Sequence, residues 1–342
     1  MNQIRSTMSP MRLVSAISNI DVHITELFRI FIFKGILTPA AYLLPKDWAL
    51  ALAKVLSLPL VVFPDPGIKA YRSMKRLFGG RRYHSFQLAW GWIARPFQDF
   101  VIFTRVLNGR EDISNWKIVE RNVEEVARLR ETGQSFIVAT GHFSRAAYLA
   151  VVCPRVTPGN FILSSLSVPV QLNRPQEFRL RIQFGTLLKG TSLASRVWQR
   201  PFEMAFTNTG QSAARLLYER LSKPGNVVSI SVDAPWPRGV SGSFCRPFAG
   251  MKDRSFSMGA ARLAKLCKCP IVSCVCWREH DGTIFLQWGS PILNVSNEID
   301  TMNQLIDTVE AAIAERPTQY VMDIGHERRW NPLLGRWEIL PD

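Results

Sequence analysis

The sequence predicts an α/β protein, a central mixed sheet flanked by helices, with N-terminal helices of a different character that lie on a membrane. Three observations predict it. From residue 121 onward, short apolar runs alternate with segments of helical period, the pattern of layered α/β architectures. Residues 24–63 are instead long apolar stretches broken by charge and proline. A hydrophobic fraction of 47% over 342 residues is enough to bury a large core. The chain is therefore divided into residues 1–110, a membrane-associated helical region, and residues 111–342, the α/β domain.

The first 23 residues are polar and mixed, a loose lead-in. Residues 24–44 are rich in Leu, Ile and Phe but carry Arg29 and Lys34, and residues 48–63 form a second apolar stretch. A spanning helix needs about 20 predominantly apolar residues, so these segments are expected to lie on or dip into a membrane rather than cross it. Pro64-Asp65-Pro66-Gly67 breaks the region. Lys69, Arg72 and Arg76 follow at helical spacing, with Lys75, Arg81 and Arg82 close by and Ile68, Tyr71, Leu77 and Phe78 as apolar contacts. Such a segment fits adsorption to anionic lipid, each basic residue adding about 1 kcal/mol near the surface.

Within the α/β part, helices are expected over 121–131, 211–221, 255–267 and 300–314, and strands over 135–140, 161–164, 227–232, 270–277 and 283–288. Asp281-Gly282 reads as the turn between the last two strands. Arg238-Gly239-Val240 and residues 244–250 read as a Gly- and aromatic-containing loop before the third helix.

The net charge of +15 calls for anionic partners: nucleic acid, acidic head groups, phosphorylated substrates or an acidic carrier protein. Nucleic acid is not expected, because the ten tryptophans fall largely in apolar stretches rather than among Lys and Arg. Four of the six cysteines crowd into Cys267, Cys269, Cys274 and Cys276. Paired thiolates often bind zinc. Here, however, Cys274 and Cys276 share one face of an apolar strand and read as small buried hydrophobes, so no metal is expected. No secretory signal is read before them, and a reducing cytoplasmic setting suits free thiols.

Two places can carry chemistry. Gly141-His142-Phe143-Ser144-Arg145 follows the first buried strand, where open α/β sheets place their ligands. A neutral imidazole there can take a proton from an attacking hydroxyl. Asp233 ends the strand over 227–232 and is placed to enter the same crevice. Arg145, Arg179, Arg181 and Arg238 are candidates for holding a phosphate bidentately or stabilising an oxyanion. His280 belongs to a turn and is expected to be exposed; His326 is expected to pack or pair with charge.

The series Gly141-His142-Phe143, Arg181-x-x-x-Gly185, Asp233, Gly239-Val240, Pro247-Phe248-x-Gly250 and Gln319-Tyr320 followed by His326-Glu327-Arg328-Arg329-Trp330 resembles, in order, the late acyltransferases of lipid A synthesis and their glycolipid-acylating relatives. The likeness runs over about residues 120–332. It implies a glycerolipid acyltransferase-like fold at the cytoplasmic face of a bacterial inner membrane. It also implies no resident cofactor, with acyl carrier protein or coenzyme A thioesters as co-substrates, and membrane lipid and acyl carrier protein as partners. The family's His-x-x-x-x-acid motif maps its histidine onto His142, but the acid position is Ala147. Losing the acid that orients a catalytic histidine can cost about 10⁴ in rate. Two readings follow. Another acid (Glu177, Glu203 or Asp233) or a backbone carbonyl holds the imidazole, and the chain moves a fatty acyl group to a hydroxyl or amine of a lipid or glycolipid. Alternatively the fold is catalytically silent and binds lipid or serves as a subunit of a lipid-modifying assembly.

Overall fold

The computed structural model describes residues 31–62, 67–79, 82–165, 202–206, 213–236, 238–239, 241–322, 328–331 and 336–339. Its centre is a seven-stranded sheet. The strands are β1 (Ile118–Arg121), β2 (Phe136–Thr140), β3 (Asn160–Ser165), β4 (Phe202–Phe206), β5 (Asn226–Ser231), β8 (Ile271–Arg278) and β9 (Ile284–Trp288), in the order β1-β9-β8-β2-β5-β3-β4. Two hairpins stand apart from it: β6 (Ser243–Phe248) with β7 (Met251–Ser257), and β10 (Arg328–Asn331) with β11 (Arg336–Ile339).

Strands β8, β2, β5, β3 and β4 run parallel, while β9 is antiparallel to β8 and β1 parallel to β9. The mixed sheet expected from the sequence is therefore present. Composition explains who sits at the centre. β2 reads Phe-Ile-Val-Ala-Thr and is buried throughout, as a strand covered on both faces must be. β8 is likewise buried at every position. Burial pushes the Cys276 thiol up to about 12, and Cys274 well above its ordinary value, so both act as protonated core residues. No group of His, Cys, Asp and Glu that could hold a metal occurs among the described residues.

The helices are α1 (Thr38–Leu43), α2 (Lys46–Leu56), α3 (Lys69–Phe78), α4 (Arg82–Leu107), α5 (Glu124–Glu131), α6 (Arg145–Val151), α7 (Ala213–Leu221), α8 (Gly259–Cys267) and α9 (Glu298–Glu315). The first three pack along α4, which spans 26 residues and buries Val101, Ile102, Phe103 and Val106. Among the described residues no helix is long and apolar enough to cross a membrane. The same region nevertheless leaves much apolar surface in solvent. Ten of the fourteen exposed large hydrophobic side chains among the described residues lie between Phe31 and Tyr83, Leu43 and Trp48 among them.

Two expectations are corrected. The helix placed over 121–131 starts only at Glu124, because Arg121 still pairs with Gln287 as the end of edge strand β1. The loop over 244–250 and the first turns of the helix placed over 255–267 are instead the β6–β7 hairpin, with α8 beginning at Gly259. Ala249 (φ 45°) and Gly250 (φ 79°) make its two-residue turn, both left-handed, as tight hairpins require. The hairpin is fastened to α9. Arg246 Nη2 meets Asp307 and Glu310, each at 2.7 Å, and the Ala249 N–H donates to Glu310 Oε1 at 2.8 Å.

Candidate active site

Register builds this site. β2 and β5 are neighbours, parallel, with Thr140 opposite Ser231. Each chain leaves the sheet at the same edge, and the residues two positions further on are His142 and Asp233. His142 Nδ1 lies 2.6 Å from Asp233 Oδ1, and the His142 main-chain N–H donates to Asp233 Oδ2 at 2.8 Å. One carboxylate thus holds both the ring and the backbone of one histidine. Asp233 is fully buried, whereas the imidazole is 33% exposed. An ionised carboxylate can only accept, so Nδ1 carries the proton and Nε2 is left with its lone pair.

Burial alone would push the Asp233 carboxyl up. The charge of His142, the two hydrogen bonds from it and the charge of Arg254 outweigh that, and hold it below the ordinary value.

The backbone around His142 is fixed from three directions. A Cβ on Gly141 would come within 2.9 Å of both the Phe143 ring and Val309 Cγ1, so only glycine lets α9 pack this close. The His142 carbonyl accepts from the Val321 N–H at 2.7 Å. Beyond it, buried Asp99 on α4 accepts from Ser144 Oγ at 2.9 Å and from the Arg145 N–H at 2.8 Å. Ser144 in turn caps α6 through the Ala147 N–H. Burial pushes the Asp99 carboxyl up, opposed by the charge of Arg95 and by these hydrogen bonds.

The structure brings together His142 and Asp233 and sets Arg145, exposed, at the head of α6. Ala147 is fully buried on α6. The carboxylate that meets the imidazole therefore comes from the end of β5 and not from the next helix. Arg238 is exposed and paired with Asp253 on β7 at 2.7 Å. Glu177, Arg179 and Arg181 lie outside the described residues, as does the side chain of Glu203 on β4.

Sequence reading gives no site role to three residues found here. Asp99 is an acid on an otherwise largely apolar helix, four residues after Arg95, and its only signal was that isolation. Arg254 falls between the loop expected over 244–250 and the helix expected over 255–267, and the sequence gives it no element. It is 3% exposed and donates from Nη2 to the main-chain oxygen of Asp233 at 2.5 Å. Tyr320, fully buried, packs edge-on to Phe143 at 5.4 Å and faces both Asp233 and Arg254. Burial and then the charge of Asp233 hold its phenol well above the ordinary value, so it stays neutral.

A buried carboxylate orienting a partly exposed imidazole at the strand ends of an α/β sheet is an arrangement able to transfer a proton. Residues 201–330 match the family model described as bacterial lipid A biosynthesis acyltransferase. The match supports, over those residues, the family resemblance read from the sequence. It includes Asp233, Arg254 and Tyr320, while His142 lies before it. Comparison with curated proteins gives no match.

Proposed function

We propose that the protein transfers a fatty acyl chain from an acyl carrier protein or coenzyme A thioester to a hydroxyl or amine of a lipid or glycolipid, at the cytoplasmic face of a bacterial inner membrane. The observation that carries the reading is the 2.6 Å contact between His142 Nδ1 and buried Asp233. It supplies the orienting acid that Ala147 lacks.

The reaction needs one base and one electrophile. His142 Nε2 takes the proton of the acceptor hydroxyl as its oxygen attacks the thioester carbonyl. Asp233 stabilises the imidazolium that forms. Collapse of the tetrahedral intermediate breaks the C–S bond, and the departing thiolate takes the proton back from Nε2. The products are an ester and a thiol, with no cofactor consumed. Arg145, at the head of α6, is the described candidate for the oxyanion or for an anionic acceptor group. Arg179 and Arg181 are further candidates for the latter, and Arg238 can serve only by exchanging Asp253 for substrate.

Exposed apolar side chains between Phe31 and Tyr83, with exposed Arg72, Lys75 and Arg76 on α3, support adsorption to an anionic bilayer. The silent alternative rests on Ala147, and the Asp233 pairing supports the active reading against it.

The test compares, by mass spectrometry, the lipids of cells carrying wild-type protein or His142→Ala. One lipid species is expected to lose a fatty acyl mass only in the variant. Matching profiles, together with no acylated product from purified protein, acyl thioesters and a membrane lipid extract, would reject the acyltransferase reading.

A further inference from the structure

Arg254 is a buried charge that does not touch the reacting atoms. It projects from β7 into the interior beneath the site, with its guanidinium over the rings of Phe248 (4.8 Å) and Phe256 (5.6 Å). Its Nε and Nη1 have no hydrogen-bond partner among the described residues, and its Nη2 donates to the main-chain oxygen of Asp233. A buried guanidinium normally sits against a carboxylate that repays its desolvation. Here the carboxylate it acts on is that of Asp233, which already holds His142.

We propose that Arg254 is a positioning residue whose buried positive charge offsets that of Asp233 and so weakens the hold of the Asp233–His142 pair on a second ring proton, leaving Nε2 free as a base. The inference rests on the reading of His142 as a base. A lone buried carboxylate beside an imidazole favours a proton on the ring, because the resulting pair is neutral. With Arg254 present, the neutral arrangement is reached with His142 uncharged. The groups facing Asp233 are His142 from the end of β2, Arg254 from β7 and Tyr320 after α9. Tyr320 is neutral and adds no charge to this balance. On the His142 side stand Arg145 and Asp99, and Asp99 is countered by Arg95 and Arg145. Arg254 also fixes direction. Its bond to the Asp233 carbonyl, with the Trp236 N–H donating to the Ser255 carbonyl at 3.0 Å, ties the turn after β5 to β7.

The experiment is an NMR titration of isotope-labelled histidine in the full-length protein, with the His142 signal assigned by its loss in His142→Gln. Relative to wild type, Arg254→Met is expected to raise the His142 midpoint by about one pH unit, tenfold in proton affinity. Arg254→Lys is expected to keep the midpoint near the wild-type value. A folded Arg254→Met protein with an unchanged midpoint overturns the proposal. Should that variant not fold, Asp233→Asn is compared with Asp233→Asn/Arg254→Met, in which no unpaired buried carboxylate remains. The double variant is expected to titrate about one unit higher; equal midpoints overturn the proposal. The acidic limb of the acyl-transfer rate should move with the midpoint. A midpoint that moves in a protein with no acyl-transfer activity would overturn the acyltransferase reading alone and leave the role of Arg254 standing.

Discussion

At the scale of single residues, the proposed chemistry turns on which carboxylate reaches His142. Asp233 does so with both oxygens, one on the ring and one on the main chain. Asp233→Asn is therefore expected to lower kcat by about 10³–10⁴ while leaving KM nearly unchanged, since the wrong tautomer is then favoured. Steady-state rates with an acyl thioester check this. Ala147 faces the core and is not a vacancy waiting for its acid. Ala147→Asp should destabilise the fold by about 2–4 kcal/mol in denaturant melts, by burying an unpaired carboxylate, and should not rescue Asp233→Asn. The depressed carboxyl of Asp233 also sets a pH dependence. The unfolded chain binds that proton more tightly, so the stabilisation is present above the ordinary value of 3.8 and lost as pH falls through the lower folded value. The stability gap between wild type and Asp233→Asn should be full at neutral pH and shrink in acid; an equal gap at both would remove the pair from the balance.

At the scale of elements, α4 and α9 act as clamps on the two sides of the His142 loop. Asp99 on α4 satisfies two buried donors, the Ser144 hydroxyl and the Arg145 N–H. Asp99→Ala leaves both unpaired and is expected to cost about 1–3 kcal/mol. It should also lower activity, because α6 and the loop before it lose their anchor; thermal melts and rates measured together show whether the two losses travel as one. On the other side, Val309 of α9 approaches where Gly141 has no side chain. Glu310, one residue on, receives the β6–β7 hairpin that carries Arg254. The helix that supports the loop thus also supports the hairpin beneath Asp233.

At the scale of the whole molecule, a net charge of +15 and an apolar N-terminal surface act together. Binding to vesicles containing anionic lipid is expected to fall with added salt and with Leu43→Glu/Trp48→Glu, whose side chains are exposed and whose replacement leaves the core intact. Sedimentation with vesicles at low and high salt measures both effects. Unchanged binding in the double variant would move the contact surface elsewhere.

What the sequence by itself determined was what periodicity and composition can encode. The apolar runs that became β2, β5 and β8, the turn at Asp281-Gly282, and the final helix at Glu298–Glu315 were all legible, because a strand buried on both faces must be continuously apolar. So were the strand-end positions of His142 and Asp233, as two separate candidates. The sequence places residues 244–250 in a loop and 255–257 in a helix and so does not show the hairpin, because Lys252, Asp253 and Arg254 break the alternation that marks a strand. It directed Asp233 toward the crevice of His142 but left Glu177 and Glu203 open as alternatives for the imidazole. That choice depends on strand order and register, which put Thr140 beside Ser231 although ninety-one residues separate them in the chain. Local pattern fixes which residues form a strand. Only tertiary packing decides which strands become neighbours, and so which carboxylate is carried to within 2.6 Å of the ring.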